Sequence, residues 1–154
     1  MKILGVDPGG TTGLVVLDLD VPAVIDYHQF SQEETVVYLY MLFTDELEYS
    51  VDAVAIERFT IAGRTLTRSR QTAALEIIGV TKALCQLSET PLHLQTPADA
   101  KNVWSDERLK TAGISISGKH CRDALRHALL LAQRCGTIVS VTESGGHDQD
   151  DKEV

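Results

Sequence analysis

The N-terminal stretch of the chain constrains its fold more than any other segment. Residues 2–7 form an apolar run that ends on Asp7, Pro8-Gly9-Gly10 follows, and residues 12–19 form a second apolar run. Two such runs joined by a short glycine-containing turn predict a pair of strands. A first strand buried in a sheet would hold the carboxylate of Asp7 at its C-terminal end. The glycines lack a Cβ atom and therefore leave room beside it.

That position of Asp7 is compatible with two chemistries and with a simpler interpretation. The carboxylate could hold a hard cation against a phosphodiester, or the turn could bind the phosphates of ATP. The simpler interpretation is an ordinary hairpin with a surface aspartate. The hairpin alone does not distinguish the three.

The rest of the chain alternates between patterns typical of strands and of helices, and predicts an α/β domain. Residues 51–56 are a short, nearly continuous apolar run, which is typical of a buried parallel strand. Ser31 and Glu34 match a capping box, and Thr96 with Pro97 is a typical helix start. We expect a mixed five-stranded sheet, its first three strands antiparallel, flanked by helices. The predicted strands are 2–7, 12–19, 22–30, 51–56 and 92–95. The predicted helices are 32–48, 66–88 and 119–135, and helical pieces are predicted over about 97–112.

The length of 154 residues suits a single domain. We assign residues 1–142 to it, and residues 143–154, which are acidic and contain glycine, to a tail that is expected to be disordered. No apolar run of about 18 residues is present, and the N-terminus lacks the pattern of a signal peptide. The three cysteines have no metal-type spacing, so we expect a reduced, cytoplasmic protein.

The net charge of −8 is unevenly distributed along the chain. Residues 1–57 hold one Lys against eleven acids, whereas residues 58–134 hold twelve Lys or Arg against six acids. Residues 135–154 hold one Lys against five acids. Because phosphate binding depends on the local potential, the middle block is a candidate surface for a polyanion. Solvated helix faces are the alternative.

Acids at predicted strand ends point to a site, since functional groups of α/β sheets gather at the carboxyl ends of the strands. Asp7 ends the first predicted strand, and Glu57 follows the fourth. If these strands are neighbours, the two carboxylates meet at one edge of the sheet. Each then raises the pKa of the other unless a cation lies between them. An accidental pair of acids is the alternative.

The last predicted helix contributes two further candidates. His120 and Asp123 are three residues apart, so they share a face of its first turn. With Asp7 and Glu57 they make three carboxylates and one imidazole, a set that suits Mg²⁺ or Mn²⁺ acting on a phosphodiester, with one or two ions per site. Alternatively, Asp123 complements the helix dipole and His120 is a surface residue.

On these residues the chain resembles the RuvC family of Holliday junction resolvases, which belong to the ribonuclease-H-like nucleases. The similarity covers about residues 1–135. It rests on four segments in the family's order: Ile3-Leu-Gly-Val-Asp7-Pro-Gly9, Val54-Ala-Ile-Glu57, Thr96-Pro-Ala-Asp-Ala-Lys101 and His120-Cys-Arg-Asp123-Ala-Leu125.

The resemblance implies a ribonuclease-H-like fold and a homodimeric endonuclease that uses divalent metal to nick four-way junctions or other branched DNA symmetrically. It implies that Asp7, Glu57 and Asp123 are catalytic and bind the metal. His120 then serves as a metal ligand or as a proton-transfer group. The expected location is the cytoplasm of a bacterium, or of the host if the protein is phage-encoded.

The resemblance also locates DNA contacts and a dimer interface. Arg58 and Phe59 fall in the family's loop that enters the junction, where an aromatic ring can stack on an unpaired base. The helix at 66–88 is where the family dimerises, which agrees with its broad apolar arc, although a core-facing stripe in a monomer explains the arc equally well. The other expected DNA-binding residues are Arg64, Arg68, Arg70, Lys101 and Lys119.

Three other functions fit part of the pattern. A sugar-kinase-like or actin-like ATPase shares a hairpin of this kind but needs two such domains. A YqgF-like nuclease that acts on RNA shares the opening hairpin, but that family does not normally end the fourth strand on Glu. A non-catalytic junction-binding protein is the third. The complete set of acids argues against this third function. A metal-dependent cleavage assay discriminates between a nuclease and a non-catalytic junction-binding protein.

Overall fold

The computed structural model describes residues 1–59 and 68–136, and of residues 68–71 it describes the backbone alone. Strands and helices follow the predicted order. They are β1 (Lys2–Asp7), β2 (Thr11–Asp18), β3 (Ala23–Ser31), α1 (Gln32–Phe43), β4 (Ala53–Glu57), α2 (Arg68–Leu87), β5 (Leu92–Gln95), α3 (Pro97–Val103), α4 (Asp106–Thr111) and α5 (Lys119–Arg134).

The strands form one five-stranded sheet in the order β3-β2-β1-β4-β5. β1 pairs with β2, and β2 with β3, in antiparallel fashion, as short turns require. β4 pairs in parallel with both β1 and β5, and each of these connections contains a helix. The predicted mixed sheet, with its first three strands antiparallel, is confirmed.

Side chains alternate between the two faces of the sheet because a strand has a period of two. Leu4 of β1 packs in the core that includes residues of α1 and α2. Ile3 of β1 and Ala55 of β4 pack in the opposite core, which includes residues of α5. By the same alternation Asp7 and Glu57 fall on the α5 face. The strand period therefore turns both strand-end acids toward one helix.

Helix α5 lies directly against β1 and β2 because both strands present glycine to it. A Cβ atom on Gly5 would lie 2.2 Å from the carbonyl oxygen of Ala124, and a Cβ atom on Gly13 would lie 2.1 Å from that of His120. Both distances are far below van der Waals contact, so only glycine permits this approach. Gly13 is also the partner of Asp7 across the β1–β2 ladder. The glycines thereby bring the first turn of α5 next to Asp7.

One predicted helix is longer than the structure shows. α1 ends at Phe43 rather than at residue 48, because Asp45 adopts a left-handed backbone conformation (φ 58°) that does not continue a right-handed helix. The helical pieces predicted over 97–112 are confirmed as α3 and α4. The buried Trp104 leaves the helical conformation, and Ser105 begins α4 as its N-cap.

The predicted helix starts are confirmed. Ser31 and Glu34 form the reciprocal capping box at the start of α1. Thr96 caps α3, and Pro97 occupies its first turn. These starts are determined by residues only a few positions apart, which is why the sequence predicts them well.

The apolar arc of α2 is covered within a single chain. Ile77, Ile78 and Cys85 are buried in the same core as Leu39 of α1. The arc therefore does not by itself require a partner.

Within residues 1–59 and 68–136, no helix combines the length and the apolar character needed to cross a membrane. The predicted domain end at residue 142 and the predicted tail at 143–154 lie outside the described residues.

Candidate active site

The structure brings the four predicted site residues to one edge of the sheet. Asp7 is the last residue of β1, and Glu57 is the last residue of β4. These strands are parallel neighbours paired through the residues immediately before the two acids, so both acids leave the sheet side by side. His120 and Asp123 approach them from the first turns of α5.

Asp7 is buried, with 8% of its surface exposed, and it contacts the histidine of the set. The Nδ1 atom of His120 lies 2.7 Å from Oδ2 of Asp7. Burial raises the pKa of Asp7, the hydrogen bond from His120 lowers it, and the negative charges of Glu57 and Asp123 raise it further; the net direction is upward. The three acids therefore interact electrostatically across elements that are distant in sequence.

Asp123 is buried as well, and its carboxylate is held by two cations. The guanidinium of Arg126 donates from Nη1 to Oδ1 of Asp123. The ammonium of Lys101 lies 3.4 Å from Oδ2. These two contacts use both oxygens of the carboxylate, with a buried cation on one side and a half-exposed cation on the other.

Glu57 is in contact with the buried imidazole of His127. Nε2 of His127 lies 3.3 Å from Oε2 of Glu57, and Nδ1 of the same ring lies 2.9 Å from Oε1 of Gln95. His127 and Gln95 are each about 1% exposed. Gln95 is at the end of β5, so His127 joins two adjacent strand ends to α5.

The chemistry of these residues fits a hard divalent cation, because carboxylate oxygens are its preferred ligands and its charge would offset the repulsion that raises the pKa of Asp7. In the described parts of the chain, however, no three His, Cys, Asp or Glu side chains are already arranged around a common metal position. Glu57 is instead in contact with His127 of α5, and Asp123 is in contact with Arg126 of α5 and Lys101 of α3. A metal bound at this edge would take the place of some of these contacts.

A cleft of about 370 Å³ opens beside Asp123 and is lined mainly by basic side chains. It contains Lys101 and Lys119, both of which the sequence predicts as DNA contacts. It also contains two basic residues that sequence reasoning missed, Arg122 and Arg126. Four cations lie around two acids, Asp123 and Asp106, and this excess of positive charge can hold a phosphate next to Asp123.

The other predicted DNA contacts are only partly described. Arg58 is exposed, and its backbone N–H donates to the carbonyl of Gln95. Phe59 is half-buried and packs against the core beneath α1 and α2. Arg64 lies outside the described residues. Arg68 and Arg70 lie in the first turn of α2, where the side chains are not described.

The basic residues missed by sequence reasoning carry one recognisable signal. Arg126 and His127 follow Asp123 by three and four residues, the spacings at which helix side chains are neighbours. A basic residue in the otherwise apolar run of α5 therefore indicates an ion pair with a nearby acid, as Arg126 forms with Asp123. The partner of His127 on β4 is visible only in three dimensions.

Comparison with known proteins supports the fold. No protein-family model matches the sequence, and no curated protein matches it either. Among solved structures, Thermus thermophilus RuvC in complex with a Holliday junction substrate aligns with a TM-score of 0.67 at 17% identity, over 89% of this chain and 97% of that one. A second T. thermophilus RuvC structure aligns with a TM-score of 0.66 at 20% identity, over 89% and 98% of the two chains.

A viral protein shares the fold less closely. The fowlpox virus Holliday junction resolvase aligns with a TM-score of 0.55 at 14% identity, over 88% of this chain and 99% of that one. The three alignments extend over nearly the whole of each neighbour. The predicted ribonuclease-H-like fold is confirmed.

Proposed function

We propose that this chain is a divalent-metal-dependent endodeoxyribonuclease that nicks branched DNA, with four-way junctions as its principal substrate. The observation that carries the proposal is the convergence of three acids and one histidine at the carboxyl ends of β1 and β4. The fold around them is one that RuvC shares. The first Thermus thermophilus RuvC structure is a complex with a Holliday junction substrate, and a structure of the fowlpox virus resolvase with Holliday junction DNA also aligns (TM-score 0.52, 12% identity). These complexes support a branched substrate.

In the proposed mechanism, Asp7, Glu57 and Asp123 would hold one or two Mg²⁺ or Mn²⁺ ions, and His120 would serve as a further ligand or as a proton-transfer group. The ions would polarise the scissile phosphodiester and lower the pKa of the attacking water. The protein's own part is to bury two of the acids and to fix them on rigid elements. About 40% of the His120 side chain is exposed, so its ring can serve as a ligand or exchange a proton with the solvent.

DNA would reach the acids along the basic cleft. Lys101 and Lys119 line the cleft together with Arg122, and Asp123 forms part of its wall. A phosphate held there would lie next to Asp123 despite the acidic total charge of the chain. Arg58, the residue after the end of β4, is exposed and is a further candidate for a phosphate contact.

We also propose a homodimer, since two such sites on opposing strands would make the nicks symmetric. The buried arc of α2 does not carry this part of the proposal. Its support is a set of large apolar side chains that the packed helices α1 and α2 leave more than 40% exposed: Val37, Tyr40, Leu75 and Leu87. Analytical ultracentrifugation of the wild type and of Leu75→Glu would measure the association directly.

The decisive experiment incubates the protein with labelled four-way, three-way, flap and duplex DNA, with and without Mg²⁺ or Mn²⁺. We expect metal-dependent nicks at symmetric positions of the four-way junction. Asp7→Asn should abolish cleavage and retain junction binding, whereas Asp99→Asn, which changes an exposed acid of α3, should cleave normally. Cleavage by Asp7→Asn at the wild-type rate would refute the proposed site.

The same incubation, extended to an RNA substrate and to ATP, separates the competing functions. An RNA substrate cut in preference to every DNA would favour a YqgF-like activity. Binding to junctions without cleavage under any metal condition would favour a non-catalytic junction-binding protein. Hydrolysis of ATP in the absence of DNA would point to the ATPase interpretation of the hairpin.

A further inference from the structure

Arg126 is a buried cation anchored at three points around the candidate site. Its Nε donates to the carbonyl oxygen of Trp104 at 2.8 Å, and its Nη2 donates to Oδ1 of Asp106 at 2.5 Å. Its Nη1 donates to Oδ1 of Asp123. Only 6% of the side chain is exposed, and a guanidinium remains charged in proteins. Arg126 is therefore a permanent part of the site rather than a surface counter-ion.

The first two anchors come from the break between α3 and α4. The carbonyl of Trp104 lies at the end of α3, and Asp106 is the first residue of α4. The break between these two short helices thus supplies two hydrogen-bond acceptors to the planar guanidinium of Arg126. Because the guanidinium is rigid, fixing Nε and Nη2 also fixes the direction of Nη1 toward Asp123.

The two oxygens of Asp123 consequently have different partners. Oδ1 is bound by Arg126, which is buried and fixed. Oδ2 faces the ammonium of Lys101 at 3.4 Å, and half of the Lys101 side chain is exposed. An exposed ammonium on a flexible stem exchanges readily, whereas the anchored guanidinium does not. Oδ2 is therefore the oxygen that can change partners.

We infer that Arg126 is a positioning residue that fixes Asp123 so that Oδ2 is the oxygen offered to a divalent cation. The inference rests on the proposed function, in which Asp123 is a metal ligand. Partners that orient a ligating side chain typically change metal affinity by about 10- to 100-fold when they are removed. Lys101 holds the same oxygen in the metal-free protein and leaves it when the cation binds.

The test measures Mn²⁺ binding by calorimetry in the absence of DNA, so that it does not depend on cleavage. Arg126→Lys keeps the charge and removes the guanidinium, and we expect it to weaken Mn²⁺ binding by about tenfold or more. Arg134→Lys makes the same replacement at an exposed residue in the last turn of the same helix, outside the candidate site. We expect that control to bind Mn²⁺ like the wild type.

A second variant keeps the inference testable if Arg126→Lys fails to fold. Asp106→Ala removes one anchor of the guanidinium from an exposed position, and should weaken Mn²⁺ binding in the same direction by a smaller factor. Glu107→Ala removes an equal charge from the neighbouring residue of α4 and should have a smaller effect than Asp106→Ala. Thermal melting without metal checks that each variant is folded.

The outcomes separate the inference from the proposed function. If wild-type protein binds no Mn²⁺, the proposed function is wrong. If the wild type binds Mn²⁺ and Asp7→Asn does not, but folded Arg126→Lys binds as tightly as the wild type, only the positioning role of Arg126 is overturned. Equal effects of Asp106→Ala and Glu107→Ala would likewise overturn it, because charge alone would then explain both.

Discussion

Replacing Gly13 with alanine should separate α5 from the sheet and thereby take the candidate site apart. The new Cβ atom would lie 2.1 Å from the carbonyl oxygen of His120 and 2.2 Å from its carbonyl carbon, and neither backbone atom can rotate away. Ordinary contact begins at 3.4 Å, so the first turn of α5 has to recede by about 1.3 Å. A rigid shift of that size stretches the 2.7 Å contact between His120 and Asp7 to about 4 Å, beyond hydrogen-bond range.

The expected loss of stability follows from two opposing effects. Overpacking of a core costs about 1–3 kcal/mol. Alanine in a strand regains about 0.5–1 kcal/mol relative to glycine, because its unfolded chain is less flexible. The net loss in the free energy of unfolding should be about 1–2 kcal/mol, measured by urea denaturation without metal. Cleavage should fall by about 100-fold, since a misplacement of about 1 Å at a reacting group has effects of that order.

Gly79→Ala is the matched control, because Gly79 is an exposed residue within α2 and a Cβ atom there meets nothing within 4 Å. The same substitution should stabilise this helix by about 0.5–1 kcal/mol and leave cleavage unchanged. The free energy of unfolding should therefore fall in Gly13→Ala and rise in Gly79→Ala. If Gly13→Ala is as stable and as active as Gly79→Ala, the glycine contact does not set the position of α5.

Three further predictions concern the acids and their histidine partners. Burial raises the pKa of Asp7, so the folded protein binds that proton more tightly than the unfolded chain does. The metal-free protein should thus lose stability as the pH rises from 3.8 through the raised folded-state pKa, and urea midpoints of Asp7→Asn should lack this component. His120→Asp should retain cleavage and accept a wider range of metals, tested by cleavage in Mg²⁺, Mn²⁺ and Ca²⁺; complete loss would indicate proton transfer by His120 instead. His127→Leu should lower the free energy of unfolding by about 1–3 kcal/mol, because Gln95 and Glu57 lose a buried partner; an unchanged urea midpoint would show that this contact contributes nothing.

Local patterns account for the parts of the structure that the sequence predicts correctly. The strand-end position of Asp7 follows from an apolar run that stops at a proline and two glycines, within ten residues. The capping box of Ser31 and Glu34 spans only four residues. The predicted end of α1 is wrong, because Asp45 adopts a left-handed backbone conformation before residue 48 is reached. The helical pieces over 97–112 were predicted without the place of their break, which is at Trp104, whose ring is buried in the core.

Sequence alone therefore determined the order of the elements, the alternation that turns Asp7 and Glu57 to one face, and the candidate acids themselves. Tertiary structure decided how those acids are held. The contact between His120 and Asp7 joins residues 113 positions apart and depends on two glycines that let α5 reach the sheet. The contact between Arg126 and Asp123 depends on the carbonyl of Trp104 and the carboxylate of Asp106, which hold the guanidinium of Arg126. Periodicity and capping act within a few residues and can be read locally, whereas the distance between two packed backbones depends on every side chain between them.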